Sequence, residues 1–467
     1  MANAPQLSIE SLPAWATLQD VKLQQVGMRH IDGKGYGLVA GTRLNASEEA
    51  NDALEIMRVP AELVLSGEAV EEYAKVDHHF KQLIEAAGRK VYDIMIYLLV
   101  HIVSGKHPGD KNRRCVPTPW SEYIKFLPKA IPVPTLWSEP HRLLLRGTSL
   151  EDALEAKVAT LQNGATLSDW FLADAWYRSR CLELPHASHA MVPALDMVNH
   201  AGAGTATAYY EEEASGDVSL RIRPGARVPA GDEISISYGD GKSAAEMLFS
   251  YGFLDADSST TARQLTLRLD PFPDDPLGLA KRRAFGGAPA VTLRQIVGGN
   301  LWESGFVHLM CLNEEDGLDF GILQDDTGGR TLRVLWQGDD VTERAHDFES
   351  LLQQHQLRAL FRLRAVTVVQ ERAASQLEKL AAAPGGGQLE PLIAAGIIEQ
   401  HHVDLVSALK DIERSVLEAA VAELEEEKSR LVEDENVVAY FGSMEDDQNE
   451  LAQDDATAPA NDEEDFS

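Results

Sequence analysis

Two β-rich stretches that enclose a long helical stretch constrain the fold of this chain most strongly. Residues 20–65 alternate short apolar runs with glycines, a pattern typical of short strands joined by tight turns. From about 66 to 185 the apolar residues recur at helical spacing instead, and strands return between 190 and 238. The pattern predicts one β domain that carries a large helical insertion.

After this domain the sequence is first mixed and then strongly helical. Long helices are predicted over 351–380 and 403–432, separated by a Pro-Gly-Gly-Gly segment. The apolar residues of the second helix approach a heptad, which fits a coiled-coil dimer or a core helix of a bundle, and we favour the core helix. The fold class is therefore predicted as α+β.

The predicted domain boundaries follow these changes of pattern. The first domain is expected to occupy residues 1–258, with its helical insertion at about 66–185, and a mainly helical second domain is expected at 259–444. Residues 445–467 carry ten acidic side chains and no basic one, so we expect a disordered acidic tail.

Composition excludes several functional classes. The net charge of −32 comes without a long basic stripe, which argues against direct binding of nucleic acid. The 3 cysteines have no short spacing, so neither a disulfide scaffold nor a cysteine-rich zinc site is expected. The longest apolar run, at 91–103, is too short to cross a bilayer. We expect a soluble protein of the cytoplasm, the nucleus or both, with no membrane partner.

Several short motifs suggest sites that their spacing does not support. Gly33, Gly35 and Gly37 lack the spacing of a dinucleotide-binding loop, and they fit equally a hairpin or a close approach of backbone to a ligand. His186 and His189 are predicted to be surface residues. The adjacent pairs at 78–79 and 401–402 cannot both face one site from a helix, so no metal site is predicted.

One combination of segments indicates which type of reaction the chain could catalyse. Asn199 and His200 close an apolar strand, a Gly-Asp-Glu turn at 231–233 leads into a strand that ends at Tyr238, and a Tyr-Gly-Phe sequence follows at 251–253. An amide, an imidazole and a phenol with little ionisable chemistry suit methyl transfer better than hydrolysis or redox reactions. A buried polar cluster without function is the structural alternative.

These segments occur in the order and spacing of SET-domain methyltransferases, which the chain resembles. The helical insertion narrows the resemblance. The insertion resembles that of the subgroup typified by the Rubisco large-subunit lysine methyltransferase, whose members carry a C-terminal helical substrate-binding domain. The residues that carry this resemblance are Trp120, Tyr123, Trp137, the Gly-Thr pair at 147–148 and the Trp-Tyr-Arg-Ser-Arg sequence at 176–180.

The resemblance implies S-adenosylmethionine (SAM) as cofactor and a protein lysine as substrate, which would meet in a narrow channel. It implies that Tyr238 is the catalytic phenol and that no metal takes part. The implied cofactor-binding residues are Lys34, Gly35, Tyr36, Arg180, Asn199 and His200. The implied substrate-binding residues are Leu182, Leu195, Asp196, Tyr210 and Tyr251, with Tyr210 preferred to Tyr209 on spacing.

Two leucines bear on the substrate. A related actin histidine methyltransferase has polar or aromatic residues where this chain has Leu182 and Leu195, and a leucine pair suits the methylene stem of a lysine. We therefore expect a protein-lysine N-methyltransferase that acts on a lysine-rich, non-histone protein, with the translation machinery as a candidate source. The alternatives are a protein-histidine methyltransferase and a catalytically silent SET-like binding module.

Overall fold

The computed structural model describes residues 6–49, 53–87, 93–106, 115–161, 167–239, 241–255, 263–296, 299–324, 328–383 and 386–443. The chain forms two compact units. Unit 1 comprises Met1–Arg146, Leu150–Ala262 and Gly386–Leu409, and unit 2 comprises Gly147–Ser149, Arg263–Gly385 and Lys410–Ser467. The expected contiguous division at residue 258 stays a prediction, and the expected acidic tail at 445–467 lies outside the described residues.

Unit 1 contains twelve described strands, most of them short. They are β1 (Lys22–Leu23), β2 (Val26–Ile31), β3 (Gly35–Ala40), β4 (Leu44–Asn45), β5 (Glu55–Val59), β6 (Cys181–Leu184), β7 (Ser188–Met191), β8 (Asn199–His200), β9 (Ala208–Glu212), β10 (Val218–Ile222), β11 (Arg227–Val228) and β12 (Glu233–Ile236).

Its helices fall mainly between β5 and β6. They are α1 (Leu12–Leu18), α2 (Gly67–Val76), α3 (His78–Ala87), α4 (Asp93–Lys106), α5 (Pro119–Tyr123), α6 (Glu139–Arg142), α7 (Leu150–Leu161), α8 (Leu167–Arg180), α9 (Ala244–Tyr251) and α14 (Gly386–Ala394). Short 3-10 turns occur at Ile9–Ser11, Ala61–Leu63, Pro134–Leu136, Leu143–Leu145 and Leu195–Met197.

The strands of unit 1 form two four-stranded sheets and two strand pairs. One sheet has the order β1-β5-β10-β9 with antiparallel pairing throughout. The other has the order β2-β3-β12-β8, in which β12 pairs antiparallel with β3 and parallel with β8. Strands β4 and β11 pair with each other, as do β6 and β7. Val218, Leu220 and Ile222 of β10 are fully buried, as expected for a strand that lines a core.

The predicted helical insertion is present between the two groups of strands. It begins where the Ser66 side chain accepts a hydrogen bond from the Ala69 amide at the start of α2, and its last helix, α8, ends at Arg180. Helix α4 is apolar on nearly all sides, and its residues Ile94, Met95 and Leu98 are buried. No helix among the described residues has the length and hydropathy needed to cross a membrane.

Unit 2 contains strands β13 (Gln264–Arg268), β14 (Ala290–Ile296), β15 (Gly299–Glu303), β16 (Leu318–Gln324), β17 (Arg330–Trp336) and β18 (Asp339–Asp340). They pair in sequence order as two three-stranded antiparallel sheets. Its helices are α10 (Gly278–Phe285), α11 (Val307–Met310), α12 (Phe348–Leu352) and α13 (Arg358–Ala382), with a 3-10 turn at Thr342–Arg344. Helix α15 (Gln400–Val432) belongs to unit 2 from Lys410 onward.

Both predicted long helices are present with shifted boundaries: α13 ends at Ala382 and not at 380, and α15 begins at Gln400 and not at 403. The helix expected over 351–380 is interrupted, because the His355 ring accepts a hydrogen bond from the Leu357 amide at 3.0 Å and α13 starts only at Arg358. In α15, Val416, Leu417 and Leu424 are buried in the same cluster as apolar residues of α13. The apolar face of α15 is thus covered within the chain, as expected for a core helix.

Candidate active site

Strand pairing in unit 1 brings together the segments that the sequence singles out. Strand β8 pairs in parallel with β12, so that Asn199 lies beside Ser235 and His200 lies beside Ile236. Strand β3 pairs with the other edge of β12. Because β12 is central, residues far apart in the sequence project from three adjacent strands at one place.

Glu233 at the start of β12 connects two of the expected cofactor residues. Its Oε1 accepts a hydrogen bond from Asn199 Nδ2 at 2.9 Å, and its Oε2 accepts one from Lys34 Nζ at 2.8 Å. Gly37 lies against this group, since a Cβ there would come within 2.5 Å of Asn199 Nδ2. We call Lys34, Gly37, Asn199 and Glu233 the strand junction. Its three side chains satisfy one another, and only glycine fits at position 37 without displacing them.

The glycine-rich segment at 33–37 forms a hairpin. Strands β2 and β3 pair antiparallel on either side of it, with His30 opposite Tyr36, and the Lys34 amide donates to the Ile31 carbonyl at 3.1 Å. The Tyr36 ring is largely exposed and packs edge-on against His30 at 5.6 Å. Of the two interpretations of these glycines, the hairpin is therefore present, and the close approach at Gly37 is made by the protein's own Asn199.

Hydrogen bonds determine the tautomer of His200. Its Nδ1 accepts from the Tyr238 amide at 3.0 Å, and its Nε2 lies 3.3 Å from Asp255 Oδ2. A nitrogen that accepts a backbone N–H carries no proton, so Nε2 holds the proton of the neutral ring. The ring also packs against Tyr238 and Phe253, at 5.1 and 5.8 Å between centroids. His200 therefore positions the end of β12.

Tyr238 lies where β12 ends, and its hydroxyl points inward. The Oη donates to the Val198 carbonyl at 2.8 Å. Burial raises the pKa of Tyr238 well above the ordinary phenol value, so the side chain is neutral at physiological pH. Its ring packs against Tyr251 of α9 at 4.6 Å.

Gly252 ends α9 in the left-handed region at φ 83°, and a Cβ there would lie 2.4 Å from the Pro132 carbonyl oxygen.

A cavity of about 350 Å³ opens beside Tyr238. We call it the phenol cavity, because Tyr210, Tyr238 and Tyr251 all contribute to its wall. Leu182 and Leu195 also line it, whereas Tyr209 is not among the lining residues. The Tyr210 hydroxyl donates to the Glu183 carbonyl at 3.3 Å.

Arg180 and Asp196 form the polar end of the phenol cavity. Arg180 Nη1 donates to the Asp196 carbonyl at 2.8 Å and lies 3.7 Å from Asp196 Oδ2. The Tyr123 hydroxyl donates to Asp196 Oδ1 and accepts from the Ala194 amide at 2.8 Å. Burial outweighs these partners and raises the pKa of Asp196 to about 6.

Two buried polar atoms in this group have no hydrogen-bond partner in the described structure: Arg180 Nε and Asp196 Oδ2. Unsatisfied buried polar atoms are rare in folded proteins and often mark a place where a ligand or water binds. The end of the cavity next to Arg180 is therefore the part of the site that most clearly needs a polar ligand.

The structure divides the expected site residues into two groups. Arg180, Leu182, Leu195, Asp196, Tyr210, Tyr238 and Tyr251 line the phenol cavity. Lys34, Gly35, Tyr36, Asn199 and His200 do not line it, and they lie in or next to the hairpin and the strand junction. His200 links the two groups through its contacts with Tyr238.

Several residues of the site were not expected from the sequence. Glu233 joins Lys34 to Asn199, and Asp255 is the partner of His200. Lys242 and Glu246 line the phenol cavity as an i, i+4 ion pair with 3.3 Å between Nζ and Oε1. Glu233 belongs to the Gly-Asp-Glu turn, and the sequence predicts the turn but not the side-chain contacts of Glu233. No motif in the sequence around Asp255 predicts its contact with His200.

Chemically, the phenol cavity combines apolar side chains and neutral hydroxyls with charged groups, among them the guanidinium groups of Arg178 and Arg180. Two leucine side chains and three phenols can surround an aliphatic chain, and the Val198 carbonyl and Tyr238 hydroxyl can orient a polar group at its end. The Ser-His-Asp and Cys-His arrangements of hydrolases are absent from its lining, whose one cysteine is Cys181 and whose one histidine is the exposed His189. Burial raises the pKa of Cys181 above its ordinary value, which keeps the thiol protonated.

Proteins similar to this chain include SET-domain proteins. No protein-family model matches the chain. SET domain-containing protein 8 of Schizosaccharomyces pombe is 26% identical over 376 residues, which cover 76% of this chain and 82% of that protein. The Rubisco large-subunit N-methyltransferase of Pisum sativum is 29% identical over 196 residues, which cover 36% and 40% of the two chains.

Solved structures extend the similarity to most of the chain. The SET domain of LSMT bound to lysine and AdoHcy superimposes with a TM-score of 0.61 at 18% identity, covering 91% of this chain and 92% of the other. Rubisco LSMT bound to AdoMet gives 0.58, also at 18% identity, covering 91% and 93%. The α+β fold is thus of the SET type, with the architecture of the Rubisco large-subunit methyltransferases. The resemblance expected from the sequence is confirmed.

Proposed function

We propose that this protein is a SAM-dependent protein-lysine N-methyltransferase. The observation that carries the proposal is the phenol cavity, in which apolar walls from Leu182 and Leu195 lead to a neutral phenol at Tyr238. A lysine side chain has the matching form, a long apolar stem with one polar head. Among the curated relatives are protein-lysine N-methyltransferases that act on Rubisco and on fructose-bisphosphate aldolase.

The cavity favours the reactive form of the amine. A lysine with a pKa near 10.4 must lose about three pKa units to be neutral at pH 7, on the order of 4 kcal/mol. An apolar wall disfavours the ammonium ion and so supplies part of this free energy. Because the Tyr238 hydroxyl uses its proton to bond the Val198 carbonyl, its lone pairs are directed to accept an N–H from the substrate. Tyr238 thereby orients the amine.

Arg180 at the polar end of the cavity, together with residues of the hairpin and the strand junction, suits a SAM molecule. Arg180 Nε is a buried donor without an acceptor, and a carboxylate or hydroxyl of the cofactor would satisfy it. Asn199 donates its amide nitrogen to Glu233, so its Oδ1 is the atom that would accept from the cofactor's amino group. Lys34, Gly35, Tyr36 and His200 would complete the binding surface. When bound, SAM supplies an electrophilic methyl group on a sulfonium.

Leucine walls favour lysine over histidine as the methylated residue. Leu195 is fully buried and Leu182 nearly so, and neither offers a hydrogen bond to an imidazole in the cavity. Leaving the second ring nitrogen of a buried histidine without a partner costs roughly 1–3 kcal/mol. Replacing Leu182 with Asn is expected to lower activity on lysine.

The protein's charge supports a lysine-rich protein partner. A net charge of −32 attracts basic proteins over long distances and speeds their association at low ionic strength. Basic proteins of the translation machinery are the first class to test, and the cytoplasm or nucleus is where such a substrate would be met.

Titration calorimetry with SAM and transfer of labelled methyl groups to cell-extract proteins together test the proposal. We expect SAM to bind and the label to be recovered as methyl-lysine after acid hydrolysis. Recovery as methyl-histidine would select the histidine alternative. Absence of SAM binding up to millimolar concentration would instead select the silent binding module.

A further inference from the structure

Unit 1 contains a second group of side chains suited to a ligand, formed by His141, Glu399 and His402. We call it the histidine cluster. His141 lies in α6, Glu399 directly precedes α15, and His402 is in the first turn of α15. One metal-binding atom from each residue lies within 4.8 Å of the other two. The cluster joins segments 258 positions apart in the sequence, both of them in unit 1.

The distances are close to those of a metal site. His402 Nδ1 lies 3.3 Å from Glu399 Oε2, and His141 Nε2 is hydrogen-bonded to the same oxygen. The two imidazole rings are 4.5 Å apart between centroids and inclined at 60°. A tetrahedral zinc ion with bonds of about 2.0–2.1 Å holds its ligand atoms roughly 3.4 Å apart. Side-chain rotations that move His141 Nε2 away from Glu399 Oε2 would make room for an ion between the three ligand atoms.

The surroundings orient the two imidazoles. Ser138 Oγ lies 2.5 Å from His141 Nδ1, so Nε2 is the nitrogen directed at the cluster. The Trp137 ring packs edge-on against His402 at 4.9 Å, and Trp137 is itself held by its Nε1 bond to the Pro132 carbonyl at 2.9 Å. A hydrogen-bond partner on the second nitrogen of a ligand imidazole, as Ser138 provides for His141, is characteristic of metal sites in proteins.

One ligand atom of the cluster is left unsatisfied. His402 Nδ1 is buried and makes no hydrogen bond of acceptable geometry, although Glu399 Oε2 is near. The Glu399 side chain is 63% exposed, which provides a route by which an ion enters from solvent. Both imidazoles are thus directed at the same Glu399 carboxylate oxygen, and His402 Nδ1 approaches it without forming a hydrogen bond.

We propose that His141, Glu399 and His402 bind a zinc ion, with water as the fourth ligand. Two imidazoles and one carboxylate form a recognised three-residue ligand set for Zn²⁺, whereas Mg²⁺ and Ca²⁺ prefer all-oxygen sites. The ion holds Gly386–Leu409 against the α6 segment, and these two parts of unit 1 are far apart in the sequence. None of the three residues lines the phenol cavity, so the zinc site is independent of the proposed methyl transfer.

Metal binding by the full-length chain tests this proposal. The purified protein is stripped with a chelator and titrated with Zn²⁺ in competition with a chromophoric chelator, and Mg²⁺ serves as the hard-ion control. We expect one tight zinc ion per chain, and a rise of a few degrees in the melting temperature when zinc is added. Substitution with Co²⁺ is expected to give the strong visible absorption of a four-coordinate site.

Matched variants separate the cluster from other histidines. His141→Gln and Glu399→Gln are each expected to weaken zinc binding at least tenfold, the lower end of what loss of even a supporting partner costs. His401→Gln changes the exposed neighbour of His402, and Glu139→Gln changes an exposed carboxylate of α6. Both controls are expected to bind zinc as the native chain does.

Two results would overturn the proposal: no tight zinc binding by the native chain, or equal affinity in the cluster variants and the controls. Circular dichroism of each stripped variant shows whether it is folded. If His141→Gln and Glu399→Gln do not fold, the cobalt spectrum of the native chain decides, because a six-coordinate spectrum would exclude the proposed site.

Discussion

The phenol cavity and the strand junction are both polar regions of unit 1, but they differ in how their polar atoms are satisfied. In the strand junction, both carboxylate oxygens of Glu233 are bonded, one to Asn199 and one to Lys34. In the phenol cavity, Arg180 Nε and Asp196 Oδ2 are buried without a partner. The junction is complete as it stands, whereas the cavity lacks something that a ligand would provide.

This difference assigns different roles to the two regions. A satisfied and partly exposed ion pair contributes little free energy and mainly fixes the positions of strands. Buried polar groups with shifted pKa values are costly in the free protein, and they concentrate at functional sites. We therefore expect changes in the cavity to affect chemistry and pH dependence, and changes in the junction to affect geometry and stability.

The largest effect is expected from Tyr238→Phe. Removal of the hydroxyl takes away the group that orients the amine, while the ring and its contacts with His200 and Tyr251 remain. We expect turnover to fall about 10²–10³-fold, as when one positioned polar group is lost from an active site, with SAM affinity changed less than about threefold. Steady-state kinetics and calorimetry measure the two quantities.

Tyr209→Phe is the matched control for this prediction, since Tyr209 is the adjacent phenol of β9 and does not line the cavity. It is expected to retain native turnover. Equal activity of the Tyr238→Phe variant and the native protein would show that the phenol has no role in the reaction.

Asp196 provides the second test, through the pH dependence of stability. Burial raises its pKa from the ordinary aspartate range to about 6, so the folded protein holds the proton more tightly than the unfolded chain does. The contribution of the Asp196 carboxyl to the free energy of unfolding is fully present below about pH 4 and is lost as the pH rises to about 6. Two pKa units correspond to about 3 kcal/mol.

The prediction is checked with urea unfolding of the native protein and Asp196→Asn between pH 4 and 7. The native free energy of unfolding is expected to fall relative to that of the variant across this range. The exposed carboxylate of Asp152, changed to Asn, serves as the control and is expected to run parallel to the native curve. Parallel curves for Asp196→Asn would mean that the carboxyl keeps an ordinary pKa.

Gly37→Ala tests the geometry of the strand junction. The added methyl would lie 2.5 Å from both Asn199 Nδ2 and Ile31 Cδ1, so the strands must separate or the amide must turn. Overpacking of this kind costs about 1–3 kcal/mol. We expect this loss in the free energy of unfolding, together with weaker SAM binding in calorimetry.

Gly27→Ala on β2 is the control, because nothing lies within 4 Å of a Cβ at that position. It is expected to leave stability and SAM affinity unchanged or slightly improved. If Gly37→Ala behaved in the same way, the tight contact with Asn199 would have no functional consequence.

The sequence predicted the parts of the fold that depend on local pattern. The hairpin, the helical insertion and the long helix α15 follow from apolar spacing, glycines and caps, and the resemblance identified Tyr238 and Arg180 as residues of one site. Glu233 as a bridge and Asp255 as the partner of His200 were not predicted, because each partnership joins residues at least 34 positions apart. Only strand pairing and chain reversal bring them together.

The histidine cluster shows the same limit more clearly. Two adjacent helical residues point in different directions, so the His401–His402 pair by itself predicts no metal site. That reasoning is correct for the pair, yet His402 alone faces His141 from another segment. A site assembled from single residues of distant segments leaves no local pattern to detect.

The smallest effect is expected from Lys34→Met in the strand junction. The Lys34 side chain is 46% exposed, so its bond to Glu233 is largely screened by water, and the pair contributes about 0–1 kcal/mol to stability. The methionine keeps the length of the stem without the charge. We expect the free energy of unfolding to change by less than about 1 kcal/mol. SAM affinity is expected to change by only a few-fold, because the backbone at 34–36 is proposed to contact the cofactor.

Lys22 is an exposed lysine on β1, and Lys22→Met gives the baseline for loss of one positive charge. A loss of SAM affinity of about a hundredfold in Lys34→Met, absent in Lys22→Met, would show that the Lys34 ammonium group itself, and not the backbone at 34–36, holds the cofactor.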